Sequence, residues 1–314
     1  MPGARDGAFD EIGLLGYKAA SLAAQNLPSA VTAAGASLLG LAFAQGMRSR
    51  RSMVERHLRR VDPSLRGPAL RQAVQSAFDS YARYWVESFR LPGLSAAEVD
   101  AVFSYTGFEG VEAGLAAGTG VILALPHLGG WEWAGRWVAD QGHPITVVVE
   151  PIEPPELFEW FMSFRRSLGM TVVPLGPEAG PGVIKALRNN EVLCLLCDRD
   201  LQGGGVEVEF FGERTTLPAG PATLALRTGA PLLPTAVYFQ GRRDRHHGIV
   251  RPPLMVERTG KLRQDVQALT QALAHELEVL IRRAPTQWHL FQPNWPSDPG
   301  YGEDQHRRDG SGAG

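Results

Sequence analysis

The chain has 314 residues, and its 31 Lys and Arg nearly balance 33 Asp and Glu, leaving a net charge of −2. With no basic excess to draw it to a polyanion, nucleic acid is excluded from the expected partners. Length alone allows about two domains, but α/β folds of this size often share one core, and no Pro/Gly/Ser-rich linker divides the middle.

The opening MPGARDGAFDE lacks a basic region running directly into an apolar core, so a signal peptide is not expected. Residues 19–47 carry no charge, and residues 48–71 then hold eight arginines against Glu55 and Asp62. An uncharged stretch followed by a cationic one reads as contact with an anionic membrane surface. After Pro28 the run SAVTAAGASLLGLAFAQGM is about as long as a span requires, but alanine and glycine dominate it. A helix lying on or dipping into the inner leaflet is therefore expected, the alternative being an amphipathic helix packed over a groove. This divides the chain into a helical membrane-associating segment (1–75), an α/β domain (76–296) and a polar, glycine-rich, disordered tail (297–314).

Tyr81, Tyr84, Trp85, Ser88 and Phe89 share a helical spacing. Such a stripe suits a core, and equally the floor of a groove for an alkyl chain. Further on, VILAL at 121–125 is a continuous apolar run of the kind a parallel sheet buries. Leu128-Gly129-Gly130 cannot continue it, and from Trp131 the pattern turns helical, with Trp133 and Trp137 four apart. His127 thus stands at a strand end with Glu132 five residues later. A histidine takes and returns a proton near neutrality if a carboxylate fixes its tautomer and steadies the imidazolium, so His127 is the candidate base and Glu132 its orienting acid. The competing reading is a buried structural histidine, with Glu132 paired to Arg136 along the helix. Amides of Gly129 and Gly130 are candidates for holding an oxyanion.

Residues 145–149, 170–173, 192–197, 206–211 and 232–238 read as strands, and 183–188, 221–227 and 265–283 as helices. This alternation predicts an α/β fold with a mostly parallel central sheet flanked by helices. Glu150 closes one strand, where it can meet an acceptor, and Arg165 and Arg166, in a helix ending at Leu168-Gly169, are candidate anion ligands. Cys194 and Cys197 lie three apart in a strand and face opposite ways, with no second CxxC, so neither a redox pair nor a metal site is expected. Asp198, Arg199 and Asp200 follow at the carboxyl edge of the sheet, where a guanidinium can fork onto phosphate and acids can take sugar hydroxyls; the alternative is a network that ties down a loop. His246-His247, in GRRDRHHG, reads as a solvated hairpin, and no HExxH is present.

Four blocks carry a resemblance: PHLGGWEWAG at 126–135, FMSFRRSLGM at 161–170, LCDRDLQGGGVEVEFFGERTTLPAGPATLALRTGAPLLP at 193–234 and PTQWHLFQPNW at 285–295. In this order they resemble the bacterial HxxxxD/E acyltransferases, in the lipid A lauroyl/myristoyl branch and closest to the phosphatidylinositol mannoside acyltransferases, over roughly residues 80–296. The resemblance implies a glycerolipid-acyltransferase-like fold and an arginine of the FRRSLG block, here Arg165, at the active site. It further implies acyl-CoA as co-substrate, palmitoyl as the acyl group, a mannose hydroxyl of a phosphatidylinositol mannoside as acceptor, and the cytoplasmic face of the plasma membrane as the place of work. No cofactor is implied beyond acyl-CoA. Another glycolipid or a lysophospholipid as acceptor, and a catalytically silent lipid-binding protein, remain as alternatives at this point.

Overall fold

The computed structural model describes residues 14–26, 35, 40, 41, 44, 46–201, 203–241 and 245–302. Among the elements described in full, α1 (Leu14–Asn26), α2 (Arg48–Val61) and α3 (Gly67–Arg90) come first. After α4 (Ala96–Ala101), β1 (Phe103–Thr106) and α5 (Glu109–Ala116), strands and helices alternate. They run as β2 (Val121–Leu125), α6 (Trp131–Asp140), β3 (Ile145–Val149), α7 (Pro155–Ser167), β4 (Met170–Pro174), α8 (Ala179–Arg188) and β5 (Val192–Leu196). The remainder comprises β6 (Val206–Phe210), β7 (Glu213–Leu217), α9 (Gly220–Thr228), β8 (Leu232–Gln240), β9 (Arg245–Val250) and α10 (Leu262–Arg282).

Seven strands form one sheet in the order β1-β9-β8-β2-β5-β3-β4. Only β8 and β9 pair antiparallel; the other neighbours are parallel. β2 lies between β5 and β8 with helices over both faces, so every residue of VILAL must be apolar, and all five are buried. One face packs Trp133, Trp137, Phe164 and Leu168 from α6 and α7 and its C-terminal cap. The other face packs Val183 and Leu187 of α8 and Leu269, Leu273 and Leu277 of α10.

The 206–211 run is a strand outside this sheet. β6 and β7 form a separate antiparallel hairpin closed by Phe211 and Gly212, both at positive φ (51° and 74°). Two strands joined by two such residues turn back on each other, whereas a parallel neighbour would need a crossover. His246 is also not solvated. It lies 1% exposed, stacked on Trp133 at 4.4 Å, with Nε2 2.9 Å from Glu87, because β9 is covered by α3 and α6 rather than ending in an open hairpin.

Of the expected tail, residues 297–302 are described and pack onto α2. Asp298 is buried and receives His57, Arg56 and Arg60, and Arg60 also reaches Glu213 at 2.9 Å. These bonds turn part of the arginine cluster inward, while Arg59, Arg66 and Arg71 stay exposed. The rest of the tail, and most of the uncharged run, lie outside the described residues. No helix among the described residues is long and apolar enough to cross a membrane. Tyr17 seats α1 in an aromatic cluster with Trp85, Phe89, Trp160 and Phe161, leaving Leu22 exposed.

Candidate active site

The carboxyl end of β2 is a sharp turn. Gly129 has φ +61°, and a Cβ there would lie 1.9 Å from the carbonyl oxygen of Val237, so only glycine fits. The turn lets α6 start at Trp131 and leaves His127 partly exposed at the sheet edge, its ring against the edge of Trp131. The C-terminal segment runs back across this point, with an antiparallel bridge between Leu128 and Trp288. His289 donates its amide to the His127 carbonyl at 2.7 Å.

The acid that orients His127 is Asp198. Its Oδ1 is 2.6 Å from His127 Nδ1, and its Oδ2 accepts the His127 amide at 3.0 Å and Trp288 Nε1 at 2.7 Å. Asn294 holds the Asp198 carbonyl from behind at 3.1 Å. With Nδ1–H donating to Asp198, the neutral ring keeps its basic lone pair on Nε2. Burial alone would raise the Asp198 carboxyl, but the charge of His127 and the hydrogen bonds from His127 and Trp288 outweigh it and hold it below its ordinary value.

Glu132, the partner expected from HxxxxE spacing, does something else. Its buried Oε1 accepts Arg165 Nε at 3.0 Å, Arg165 Nη2, and the Tyr84 hydroxyl at 3.3 Å. No hydrogen bond joins it to His127 among the described residues. The reason is helical geometry: as the second residue of α6, Glu132 faces α3 and α7 rather than back across the glycine turn. Burial opposes the charge on Arg165, but Glu132 and Tyr84 together keep the guanidinium firmly protonated. Arg136 pairs instead with Asp140, at 2.8 Å.

The other expected residues sort by position. Glu150 and Arg199 meet at 2.8 Å beside the site, and the Arg199 Nε hydrogen has no partner among the described residues. Asp200 accepts the amides of Gly203 and Gly205, so it does tie the loop while also lining the cavity. Arg166 is exposed and, among the described residues, reaches only Met162 Sδ, so it is not brought to the site. Gly129 is excluded as an oxyanion donor because its amide donates to the Gln287 carbonyl at 2.9 Å. Gly130 begins the helix, its carbonyl accepting from Trp133 and Ala134. Trp288, His289 and Asn294 were not anticipated as site residues. Their only signal was their place in the PTQWHLFQPNW block. Burial drives the His289 imidazole down to about 3, His127 adding to the effect and Asp198 opposing it.

His127 opens into a cavity of about 760 Å³. One limb runs between the sheet and α6, bounded by Leu123, Leu125, Val147 and Leu196 and by Ala134 and Val138, and stops at Ile145 and Met170. A Cβ on Gly135 would lie 2.5 Å from Met170 Cε, which makes this glycine part of the limb's end. Cys194 also lines it, its thiol pushed up to about 12 by burial and therefore inert. The second limb lies on the opposite sheet face, between Val148, Leu195, Val183 and Leu224, with the exposed Arg227 on its rim. An imidazole whose Nδ1 is held by a carboxylate thus faces the junction of two apolar limbs, an arrangement with room for a long alkyl chain.

The family model for bacterial lipid A biosynthesis acyltransferases matches residues 14–297. A phosphatidylinositol mannoside acyltransferase of Mycobacterium tuberculosis is 44% identical over 230 residues, covering 71% of this chain and 70% of the relative. The protein of the same name from Mycolicibacterium smegmatis is 41% identical over 228 residues, 72% of this chain and 73% of its own. A lipid A biosynthesis acyltransferase of Haemophilus influenzae is 25% identical over 188 residues, covering 59% of this chain and 56% of the relative.

Proposed function

This chain belongs to the bacterial lipid A biosynthesis acyltransferase family, and from that premise we propose that it moves a long-chain acyl group, palmitoyl, from acyl-CoA to a mannose hydroxyl of a phosphatidylinositol mannoside. The observation that carries the reading is the His127–Asp198 pair at the junction of a forked apolar cavity. The names of the two mycobacterial relatives support the acceptor.

In the proposed reaction the thioester lies at the junction with its alkyl chain in the closed limb beneath α6, and the CoA arm leaves through the limb beside α8 and α9. The acceptor oxygen attacks the thioester carbonyl carbon while His127 Nε2 takes its proton, and Asp198 stabilises the imidazolium through Nδ1–H. The new C–O bond forms, the C–S bond breaks, and the imidazolium returns its proton to the departing sulfur. No covalent enzyme intermediate is required. Positioned base catalysis supplies roughly 10²–10⁴-fold, and alignment of two bound substrates supplies much of the rest. Glu132 keeps Arg165 in place, and Arg165, as a fixed cation lining the cavity, faces the developing negative charge. The proposed place of work is the cytoplasmic face of the membrane; the exposed Leu22 and the outward arginines Arg59, Arg66 and Arg71 support contact with an anionic surface.

The test is incubation of the purified protein with radiolabelled palmitoyl-CoA and a panel of mannosylated lipids, other glycolipids and lysophospholipids. Label should appear on a mannoside and vanish with His127→Ala. Label on a lysophospholipid alone would refute the acceptor, and undiminished transfer by His127→Ala would refute the base.

A further inference from the structure

α9 turns one face to the limb beside Val148 and Leu195. Gly220, Thr223, Leu224 and Arg227 recur along it at helical spacing and all line the cavity, as do Gly180, Val183 and Ile184 of α8, which packs beside α9. A Cβ added to Gly180 or Gly220 would meet nothing within 4 Å, so the starts of both helices leave the limb open. Arg227 lies about two turns beyond Gly220, roughly 10 Å along the helix axis. It is the one charged side chain on a stripe that is otherwise small or apolar, apart from the Thr223 hydroxyl.

The charges of the cavity wall show what this arginine lacks. Three guanidinium groups line the cavity, those of Arg165, Arg199 and Arg227. Glu132 holds Arg165 and Glu150 holds Arg199, while the remaining carboxylate of the wall, Asp200, receives the amides of Gly203 and Gly205. Arg227 has no hydrogen bond or ion pair among the described residues. Lys185 and Arg188 of α8 are exposed as well, but neither lines the cavity. The limb therefore leads from His127 past apolar walls to an uncompensated cation. Its guest should be neutral and flexible over most of its length and anionic where it meets the guanidinium. A sugar is disfavoured here, because Val148, Val183, Leu195 and Leu224 offer its hydroxyls no partners. The arm between the sulfur and the first phosphate of an acyl-CoA is uncharged and about thirteen bonds long, roughly 15 Å when extended as a polypeptide extends. That is long enough to run from the junction along the two turns of α9.

We propose that Arg227 docks the phosphate that ends the pantetheine arm of the donor. The inference rests on the acyl-CoA reading above and names the contact that separates a phosphorylated thioester from an unphosphorylated one.

Steady-state transfer to phosphatidylinositol monomannoside would be measured with palmitoyl-CoA, palmitoyl-4′-phosphopantetheine and palmitoyl-pantetheine, using the full chain and its Arg227→Gln, Arg227→Lys and Arg188→Gln variants. Arg227→Gln should raise KM for both phosphorylated donors roughly tenfold, the size of one charge-assisted hydrogen bond at an exposed site. Its kcat should stay within about twofold, and palmitoyl-pantetheine should be used as well as by the wild type. Arg227→Lys should recover part of the loss, and Arg188→Gln, whose charge lies outside the cavity, should match the wild type. Equal loss on all three donors, or no loss on any, overturns the proposal. So does a loss confined to palmitoyl-CoA, which would put the guanidinium at the adenosine end, or a rise only in the KM of the acceptor, which would put it at the acceptor phosphodiester. Should the wild type transfer from none of the thioesters, the parent reading fails, and calorimetric titration with CoA decides the contact separately. Arg227→Gln should then bind about tenfold more weakly than the wild type, and equal affinities, or no binding by either protein, would overturn it.

Discussion

A buried carboxylate that accepts hydrogen bonds from His127 and Trp288 stays ionised at neutral pH, and this fixes what Asp198 does for the histidine. It selects the tautomer with Nε2 free and supplies the countercharge when Nε2 takes a proton. Its own folded value is depressed, so it remains charged through the pH range in which histidine titrates. Glu132 acts one step further out. Glu132→Gln keeps the side-chain volume but removes the charge that holds Arg165, and turnover is expected to fall at least tenfold with acyl-CoA binding little changed. Titration of binding beside single-turnover transfer checks this; an unchanged rate would reduce the Glu132–Arg165 pair to scaffolding. The positions of His127 at a strand end and Glu132 at a helix start were legible in the sequence because strand, glycine turn and helix start are local patterns. The link from His127 to Asp198 crosses 71 positions and depends on β2 and β5 being neighbours, which no local pattern states. Asp198 was accordingly expected in the crevice as a ligand for hydroxyls, without its bond to His127.

At the scale of elements, the strand ends set the site and the helix facing β3 sets its depth. β3 spans Ile145–Val149 beside the closed limb, on the order of 13 Å of strand. Gly135→Leu would place its side chain against Met170 and Ile145 at the end of that limb. Loss of room for a few methylenes at about 0.8 kcal/mol each amounts to about 2 kcal/mol, or roughly thirtyfold in kcat/KM for palmitoyl-CoA. Donors several carbons shorter should be used as well as before. A chain-length series of acyl-CoA donors reads this out, and an equal loss at every length would show that the limb does not hold the acyl chain. β2 and β3 were legible to the residue, since buried strands read as uninterrupted apolar runs. The β6–β7 hairpin was not, because periodicity marks a strand without saying which sheet it joins.

For the whole molecule, the feature that organises the site is the return of the C-terminal segment across β2, α2 and the β6–β7 hairpin. Buried His289 lies at its centre, against Ser80, Tyr84 and Trp131. It stays neutral when folded, with its imidazole held near 3, and protonates near the ordinary value of about 6.5 when unfolded. The unfolded state therefore binds the extra proton between those values, so stability rises with pH across this window and is lost as pH falls through it. Urea unfolding over this range should show the decline, with a shallower slope in His289→Gln; equal slopes would remove His289 as the cause. The exposed arginines predict binding to anionic vesicles that weakens as salt rises. Salt-insensitive sedimentation, reversed only by detergent, would contradict a peripheral contact. The packing of Asp298 was hidden because composition marks residues 297–302 as polar and flexible, whereas their partners, His57 and Arg60, lie far back in the chain. The central claim is that His127, oriented by Asp198, takes the acceptor proton, and its most direct test is the single-turnover rate of palmitoyl transfer in Asp198→Asn at pH 7. A fall of roughly 10²–10⁴-fold with acyl-CoA affinity unchanged is expected, and a variant that retains more than a tenth of the wild-type rate would contradict it.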